Sequence, residues 1–331
     1  KLLLLDGKEL LKVSSADDFI KKLNIQDSSV RIKVISIFGN TGDGKSHTLN
    51  RTFFDGQEVF QTSNEQNSCT LGVWAAYDPD LKLICLDTEG LLGTTSHENQ
   101  CTRLLLKILA ISDIVIYRTR SERLHRDLFS FLGSASRTYT QHFHSALQSV
   151  TQRNEFGGPL SALGPAVIIF HETRHTQPLH PVNGESTEDL IRSSFARMKL
   201  DIDAFSSLRY IGIQTQIPPT SFSELRDAVT QELNNTTVRS ARSPQIVFVT
   251  LNVLNDKFSG ELEDKISSTF RTSISPAPQH VSLVRNAAKG PWAMSKKEYL
   301  ITALVNAGIN INMITVYMSV KPVIPMDKKL L

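Results

Sequence analysis

The sequence has little cysteine: Cys69, Cys85 and Cys101, an odd number at wide spacing and without a C-x-x-C pair. That argues against a zinc ribbon or a disulfide framework and suits a reducing compartment. Long apolar runs are absent too. The most hydrophobic stretch, Leu104 to Ile111, is interrupted by Lys107 and falls far short of the ~20 residues that span a bilayer. Lys1-Leu2-Leu3-Leu4-Leu5 is too short for the apolar centre of a secretion signal and runs straight into Asp6-Gly7. The first residue is not methionine, so a piece of a longer protein is expected. There is no dominant basic run and the net charge is only +3, so nucleic acid is not expected as a partner. No internal repeat is visible. What remains, 40% hydrophobic and 21% charged over 331 residues, is the composition of a globular protein with a real core.

Patterning supplies the elements. Leu2 to Leu5 and Glu9 to Val13 flank Asp6-Gly7-Lys8 as a hairpin would. Ser15-Ala16-Asp17-Asp18 resembles a capping box opening a short helix through Leu23. Ile32 to Phe38 reads as the first core strand, and Gln57 to Thr70 as loop. Gly72 to Tyr77 and Leu81 to Leu86 are strands about the turn Asp78-Pro79-Asp80. Glu98 to Ala110 has helical spacing, Asp113 to Arg118 is a strand, and Leu124 to Leu132 starts a helix continuing toward Gln152. Ala166 to Phe170 is an all-apolar strand. Ser186-Thr187-Glu188-Asp189 caps a helix to about Lys199, Tyr210 to Ile213 is a further strand, and Ser221-Phe222-Ser223-Glu224 caps a helix to about Leu233. Gln245 to Phe258 is rich in β-branched residues, yet Val247, Leu251, Leu254 and Phe258 share a helical face, which favours helix. Ser267 to Gly290 looks like a linker, Tyr299 to Val305 a short helix, and Lys321 to Leu331 carries no signal. Apolar strands alternating with helices predict an α/β fold, a doubly wound, mostly parallel sheet with helices on both faces. The expected division is an N-terminal hairpin and helix (1–30), the α/β domain (31–262), and a linker with a C-terminal segment (263–331).

The chemistry sits after the first core strand. Gly39-Asn40-Thr41-Gly42-Asp43-Gly44-Lys45-Ser46 satisfies G-x-x-x-x-G-K-[ST], between a strand and a helix that opens at His47. Glycines let main-chain N–H groups turn inward onto phosphate oxygens, the helix start adds its dipole, Lys45 adds a full charge, and the Ser46 hydroxyl is a Mg2+ ligand. Leu83-Ile84-Cys85-Leu86 leads into Asp87-Thr88-Glu89-Gly90. There Asp87 can hold Mg2+ through water, the Gly90 N–H can reach a γ-phosphate, and Glu89 can order a switch or position water. Between the motifs, Thr70 is placed to close over the metal. Asp43 sits among like charges, so its side chain is expected to face solvent, a cation or a partner subunit. Cys85 reads as buried filler, Trp74 as packing, and His97, His125 and His171 as surface or satisfied histidines.

Gly39 to Ser46, Cys69-Thr70-Leu71-Gly72-Val73-Trp74 and Asp87-Thr88-Glu89-Gly90 together resemble the guanylate-binding-protein and atlastin branch of the large GTPases. Val34 to Asn50, Cys69 to Pro79, Thr102 to Thr119 and Gly164 to Thr176 are similar to the N-terminal nucleotide-hydrolysing domain of the double-FYVE-domain proteins, with Asp256 to Glu261 extending the likeness. The cysteine-rich zinc modules of that family are missing here. The resemblance implies a P-loop NTPase that binds ATP or GTP with Mg2+, dimerises with nucleotide, and helps reshape autophagosome-forming membranes of the endoplasmic reticulum. It also implies a cytoplasmic protein recruited to omegasome membranes, touching membrane only through modules outside this chain. Guanine-specific relatives keep an aspartate after a late strand. Here Ala166 to Phe170 leads into His171-Glu172-Thr173-Arg174-His175-Thr176, which has none. Adenine is therefore favoured, while Glu172 can stand in for the aspartate and keeps GTP open. Glu172, Thr173 and Arg174 are the nucleoside-side candidates, with His47. The relatives' phosphate-loop arginine is replaced by Gly42, so either turnover is slow or Arg103, Arg118 or Arg120 supplies the charge, in cis or from a partner.

Overall fold

A computed structural model describes residues 1–7, 9–62, 72–88, 98–144, 164–215, 220–235 and 240–257, with 98–103 and 257 described in backbone only. Along the chain run β1 (Leu2–Asp6), α1 (Ala16–Lys22), β2 (Lys33–Phe38), α2 (Lys45–Phe53), β3 (Gly72–Asp78), β4 (Leu83–Asp87), α3 (Glu98–Ile111) and β5 (Ile114–Thr119). Then follow α4 (Arg126–Thr138) with a π-helical turn (Tyr139–Phe143), β6 (Gly164–Thr173), α5 (Thr187–Arg197), β7 (Phe205–Gln214), α6 (Ser223–Leu233) and α7 (Pro244–Lys257). The seven strands form one sheet in the order β1-β3-β4-β2-β5-β6-β7. From β4 to β7 every pairing is parallel, while β3 and β1 join antiparallel at the far edge.

The apolar runs of β2, β5 and β6 make this architecture necessary, because residues of both parities must be buried. Val34 and Phe38 of β2 point into a core shared with α1, α3, α4, α5 and α7. Ile35 and Ile37, the alternate positions, point into a second core shared with α2 and α6. Helices thus cover both faces, as a doubly wound sheet requires. Cys85 is buried filler in β4, as expected. The sheet is pinned at the amino end of its strands by Asp113. Its carboxylate accepts the Val34 N–H at 2.7 Å and both contacts of Arg242 Nη1, at 2.7 and 2.8 Å.

Several elements differ from the sequence reading for identifiable reasons. The chain does turn at Asp6, with Asp6 N donating to Leu10 O and Lys12 N to Leu4 O, but among the described residues the return arm makes a single bridge, Leu5 to Leu11. β1 instead pairs along β3, where Leu2, Leu4 and Leu5 gain burial. At α1, the Ser15 hydroxyl accepts Asp18 N at 3.1 Å, but Asp18 reaches back to Ser14, giving half a capping box. The Ser186/Asp189 box is complete. Ser221 does not cap α6. Phe222 holds the cap position because its ring packs on Phe170 and edge-on to His47, and tertiary packing overrides capping preference. β7 is longer than Tyr210 to Ile213 because it is the sheet's other edge. Its half-exposed Ser206, Ser207 and Arg209 dilute the apolar pattern. Residues 245–257 are helical, with Pro244 as the first helical residue, where its missing N–H costs nothing.

Candidate functional site

The loop after β2 takes its shape from glycine. Gly39 has φ +147°, and a β-carbon there would fall inside the Arg118 carbonyl of β5, so the main chain runs where only glycine fits. Gly44, at φ +79°, starts α2 without a capping side chain. An anion completes such an N-terminus. Lys45 is buried and folds back across the loop, its Nζ donating to Gly39 O at 3.1 Å and Asn40 O at 3.0 Å. Asn40, Thr41 and Gly42 are exposed along the rim.

Beside it, β4 runs parallel to β2 in a register that sets Asp87 next to Ile37. The Thr88 hydroxyl fastens this end by donating to Ile37 O at 2.5 Å. Asp87 Oδ2 then accepts the Ser46 hydroxyl at 2.6 Å, so two of the three expected Mg2+ residues, 41 positions apart, meet. Asp87 is buried, and its Oδ1 has no hydrogen-bond partner among the described residues. Burial pushes its carboxyl up, against the Ser46 hydroxyl and the Lys45 charge. A buried acceptor left unsatisfied beside a hydroxyl and an ammonium is a poor arrangement by itself and a good one for a hydrated divalent cation. The donor set therefore fits Mg2+. Thr70, Glu89 and Gly90, the other expected members, lie outside the described residues.

Asp43 has cations near it, one of the expected surroundings, but its own loop holds it as well. Its side chain curls back onto its own loop, Oδ2 accepting Asn40 N at 3.0 Å. Burial raises its carboxyl, while the N–H groups of Asn40 and Arg120 and the charges of Lys45 and Arg118 lower it. The loop's own amide and nearby cations satisfy it better than solvent would.

On the other side of β2, the carboxyl ends of β5, β6 and β7 are tied together by one carboxylate. Glu172 Oε2 pairs with Arg118 Nη2 and lies 3.6 Å from Arg120 Nε. Its Oε1 accepts the Thr215 hydroxyl and, at 2.9 Å, the Thr220 hydroxyl. Burial works against this charge, but the Thr215 hydroxyl, Arg118 and Thr220 hold its pKa down at about 2. Arg118 also lies over the Phe170 ring at 4.6 Å. The sequence leaves Glu172 open as a reader of guanine's edge. The structure spends both of its oxygens within the fold, so Glu172 acts here as a buckle between strand ends. The same pairing corrects Arg118, which is 2% exposed and committed, whereas the Arg120 side chain is 37% exposed. The side chain of Arg103 lies outside the description.

Of the remaining nucleoside-side candidates, the Thr173 hydroxyl donates to Thr176 O at 2.5 Å, and Arg174 is exposed at the strand end. His47 is exposed, edge-on to Phe222 at 5.7 Å, with its pKa lowered by partial burial and by Arg51, Arg118 and Arg120. His171 is satisfied, as expected, between Tyr210 OH at 2.8 Å and Ser121 O at 2.6 Å. Trp74 packs under Lys1. The residue the sequence gave no reason to single out is Glu122. Its carboxylate accepts the main-chain N–H groups of Arg174, His175 and Thr176 at 3.1, 3.0 and 2.9 Å.

The Glu172 buckle makes a pH prediction. A carboxyl whose folded pKa of about 2 lies below its usual 4.5 contributes stability that is fully present above 4.5 and lost as pH falls toward 2. Thermal melts from pH 6 to 2 are expected to show a fall in this window that is shallower in Glu172→Gln. An identical slope in both proteins contradicts it.

Over 265 residues the chain is 56% identical to zinc finger FYVE domain-containing protein 1 of Mus musculus, across 79% of this chain and 34% of that protein. Over that segment the chain is a relative of zinc finger FYVE domain-containing protein 1. It spans about a third of the length of this relative and of its counterparts in Homo sapiens and Pongo abelii. Protein ROOT HAIR DEFECTIVE 3 homolog 1 of Arabidopsis thaliana is 31% identical over 118 residues, 34% of this chain and 15% of that protein. Toc33 from Arabidopsis thaliana in complex with GDP and Mg2+ is 17% identical, with a TM-score of 0.36 over 69% of this chain and 93% of that one. That similarity is too slight to add to the topology. No family profile matches. The parallel sheet, the loop after β2 and Asp87 on the adjacent strand make this a doubly wound P-loop NTPase fold.

Proposed function

We propose that the chain is a Mg2+-dependent nucleoside triphosphatase, with ATP favoured over GTP. The observation that carries the reading is the meeting of Ser46 Oγ and Asp87 Oδ2 at 2.6 Å beside the buried Lys45 ammonium. In this reading, main-chain N–H groups from Thr41 to Ser46 receive the phosphates. Lys45 leaves the Gly39 and Asn40 carbonyls for the outer phosphate oxygens, and Asp87 holds the Ser46 hydroxyl. Mg2+, when bound, would supply charge for the β- and γ-oxygens. Thr70 would close over the metal, the Gly90 N–H would meet the γ-phosphate, and Glu89 would order the switch or the attacking water. Chemistry of this type needs an in-line water and fixed charge, and no covalent intermediate.

The metal end lies toward β4, so a nucleotide laid along the loop places its nucleoside toward β6 and β7, at the carboxyl edge of the sheet. With Glu172 spent on Arg118 and the two threonines, the loop after β6 presents Arg174 and His175 and no carboxylate of its own to a base. That supports adenine. The resemblance supports the wider proposal that nucleotide drives homodimerisation and membrane remodelling during autophagosome formation, on cytoplasmic membranes of the endoplasmic reticulum or omegasome.

A second reading, a nucleotide-gated scaffold with negligible turnover, is favoured by Gly42 at the arginine position and by the burial of Arg118 in an ion pair. Phosphate release under single-turnover conditions separates the two. The triphosphatase reading expects release from ATP, and from GTP more slowly. Tight binding of both without release would leave the scaffold.

A further inference from the structure

The connection between β5 and α4, residues 120–125, is stitched to the end of β6 along its length. His171 Nε2 meets Ser121 O at 2.6 Å, and the Thr176 hydroxyl donates to Glu122 O at 2.6 Å. At the centre is the Glu122 carboxylate, Oε1 on Arg174 N and Oε2 on His175 N, Thr176 N and, at 3.0 Å, the Thr176 hydroxyl. Three successive amides converging on one anion form a nest. The Thr176 and His175 N–H groups hold the Glu122 pKa down at about 2, so the charge persists at every pH near neutrality. No strand or helix supplies acceptors for those three amides, since β6 ends at Thr173. The loop has its shape because a side chain 52 to 54 positions away completes it. Arg174 and His175, whose amides are clamped, carry exposed side chains at the edge where the nucleoside is placed above.

We propose that Glu122 is a positioning residue for nucleoside recognition. Its carboxylate fixes the main chain of Arg174 to Thr176, so that Arg174 and His175 meet the nucleoside in one arrangement, independently of the phosphate grip around Lys45. This rests on the triphosphatase reading and adds a residue to its specificity. The arrangement separates two contributions to affinity. The phosphate loop is held by Lys45 on Gly39 O and Asn40 O, Ser46 on Asp87, and Asp43 on the N–H groups of Asn40 and Arg120, none of which involves the Glu122 side chain. Loosening the nest should therefore leave a ligand that is only phosphate unaffected, and weaken one that also carries a base and sugar.

The test compares Mg-ATP with Mg-tripolyphosphate by titration calorimetry, on wild type, Glu122→Ala and Glu122→Gln. Glu122→Ala is expected to weaken ATP about tenfold or more, the scale of losing charge-assisted hydrogen bonds, with tripolyphosphate affinity unchanged. Glu122→Gln keeps a carbonyl acceptor and should recover part of the ATP affinity. It also carries the comparison if the alanine variant does not fold. Equal weakening of both ligands, or undiminished ATP binding in the folded variants, overturns the proposal alone. Wild-type protein that takes up neither ligand overturns the triphosphatase reading and this proposal with it.

Discussion

Lys45→Met is expected to lose about 10²–10³-fold in turnover of its preferred triphosphate, the scale seen when one preorganised charge partner of a transition state is removed. The mechanism is specific. Lys45 is buried, its ammonium sits on the carbonyls of Gly39 and Asn40, and it is the cation the phosphate-binding motif places within reach of the outer phosphates. Methionine keeps an unbranched apolar stem and removes the charge with its two hydrogen bonds to the loop carbonyls, so circular dichroism should be unchanged. Steady-state phosphate release checks the rate. Turnover within twofold of wild type would remove Lys45 from the site.

Arg118→Met is expected to be the most damaging change to stability. It leaves Glu172 as a buried carboxylate with its principal cation gone. Breaking one half of a buried pair costs roughly 3–5 kcal/mol, a fall of roughly 6–20 °C in melting temperature for a domain of about this size. The value should lie toward the lower end, because Arg120 remains 3.6 Å from Glu172 and the Thr215 and Thr220 hydroxyls stay in place. Burial lowers Arg118 below its ordinary value while Glu172 pulls it back, so desolvation offsets much of the attraction. A consequence follows for the double variant Arg118→Met/Glu172→Gln. Removing both charges should restore part of the loss, giving a coupling well outside additivity in a double-mutant cycle. Additive losses would mean that the two groups do not depend on each other. Because this pair ties β5 to β6 and, through Thr215, to β7, the single variant should also weaken nucleotide more than tripolyphosphate.

Both predictions draw on the same division in what the sequence discloses. The phosphate loop was legible because its chemistry is local. Glycines, a lysine and a serine within eight positions specify a turn, a charge and a hydroxyl, and the apolar strand before them places the turn at the carboxyl end of a central strand. Asp87 was legible because a short buried strand ends on it, and parallel pairing of β4 with β2 carries it to Ser46. The two cores were legible through the alternation of Val34, Ile35, Ile37 and Phe38.

What escaped the sequence is non-local. Arg118 and Glu172 are 54 positions apart, and Glu122 reaches amides 52 to 54 positions on. In sequence each is only a charge after an apolar strand, the pattern that also marks a ligand-binding residue. Whether such a charge reads a ligand or buckles the fold depends on its neighbours across the sheet. Asp43 was legible only in part. Repulsion from phosphates pointed its side chain to solvent, a cation or a partner, and Lys45 and Arg118 are nearby cations, but nothing local marks the Asn40 amide that claims it. β1 was read as a hairpin arm because its partner on β3 lies some 70 positions away.

The central claim is that the loop after β2, with Ser46 and Asp87 beside it, grips a magnesium nucleoside triphosphate. Titration calorimetry of the folded chain with non-hydrolysable ATP and GTP analogues tests it most directly, because binding is read apart from turnover. The account predicts saturable uptake at one site per chain, tighter for the ATP analogue and sharply weakened when EDTA removes the divalent cation. Folded protein that shows no uptake of either analogue in the presence of Mg2+ would contradict it.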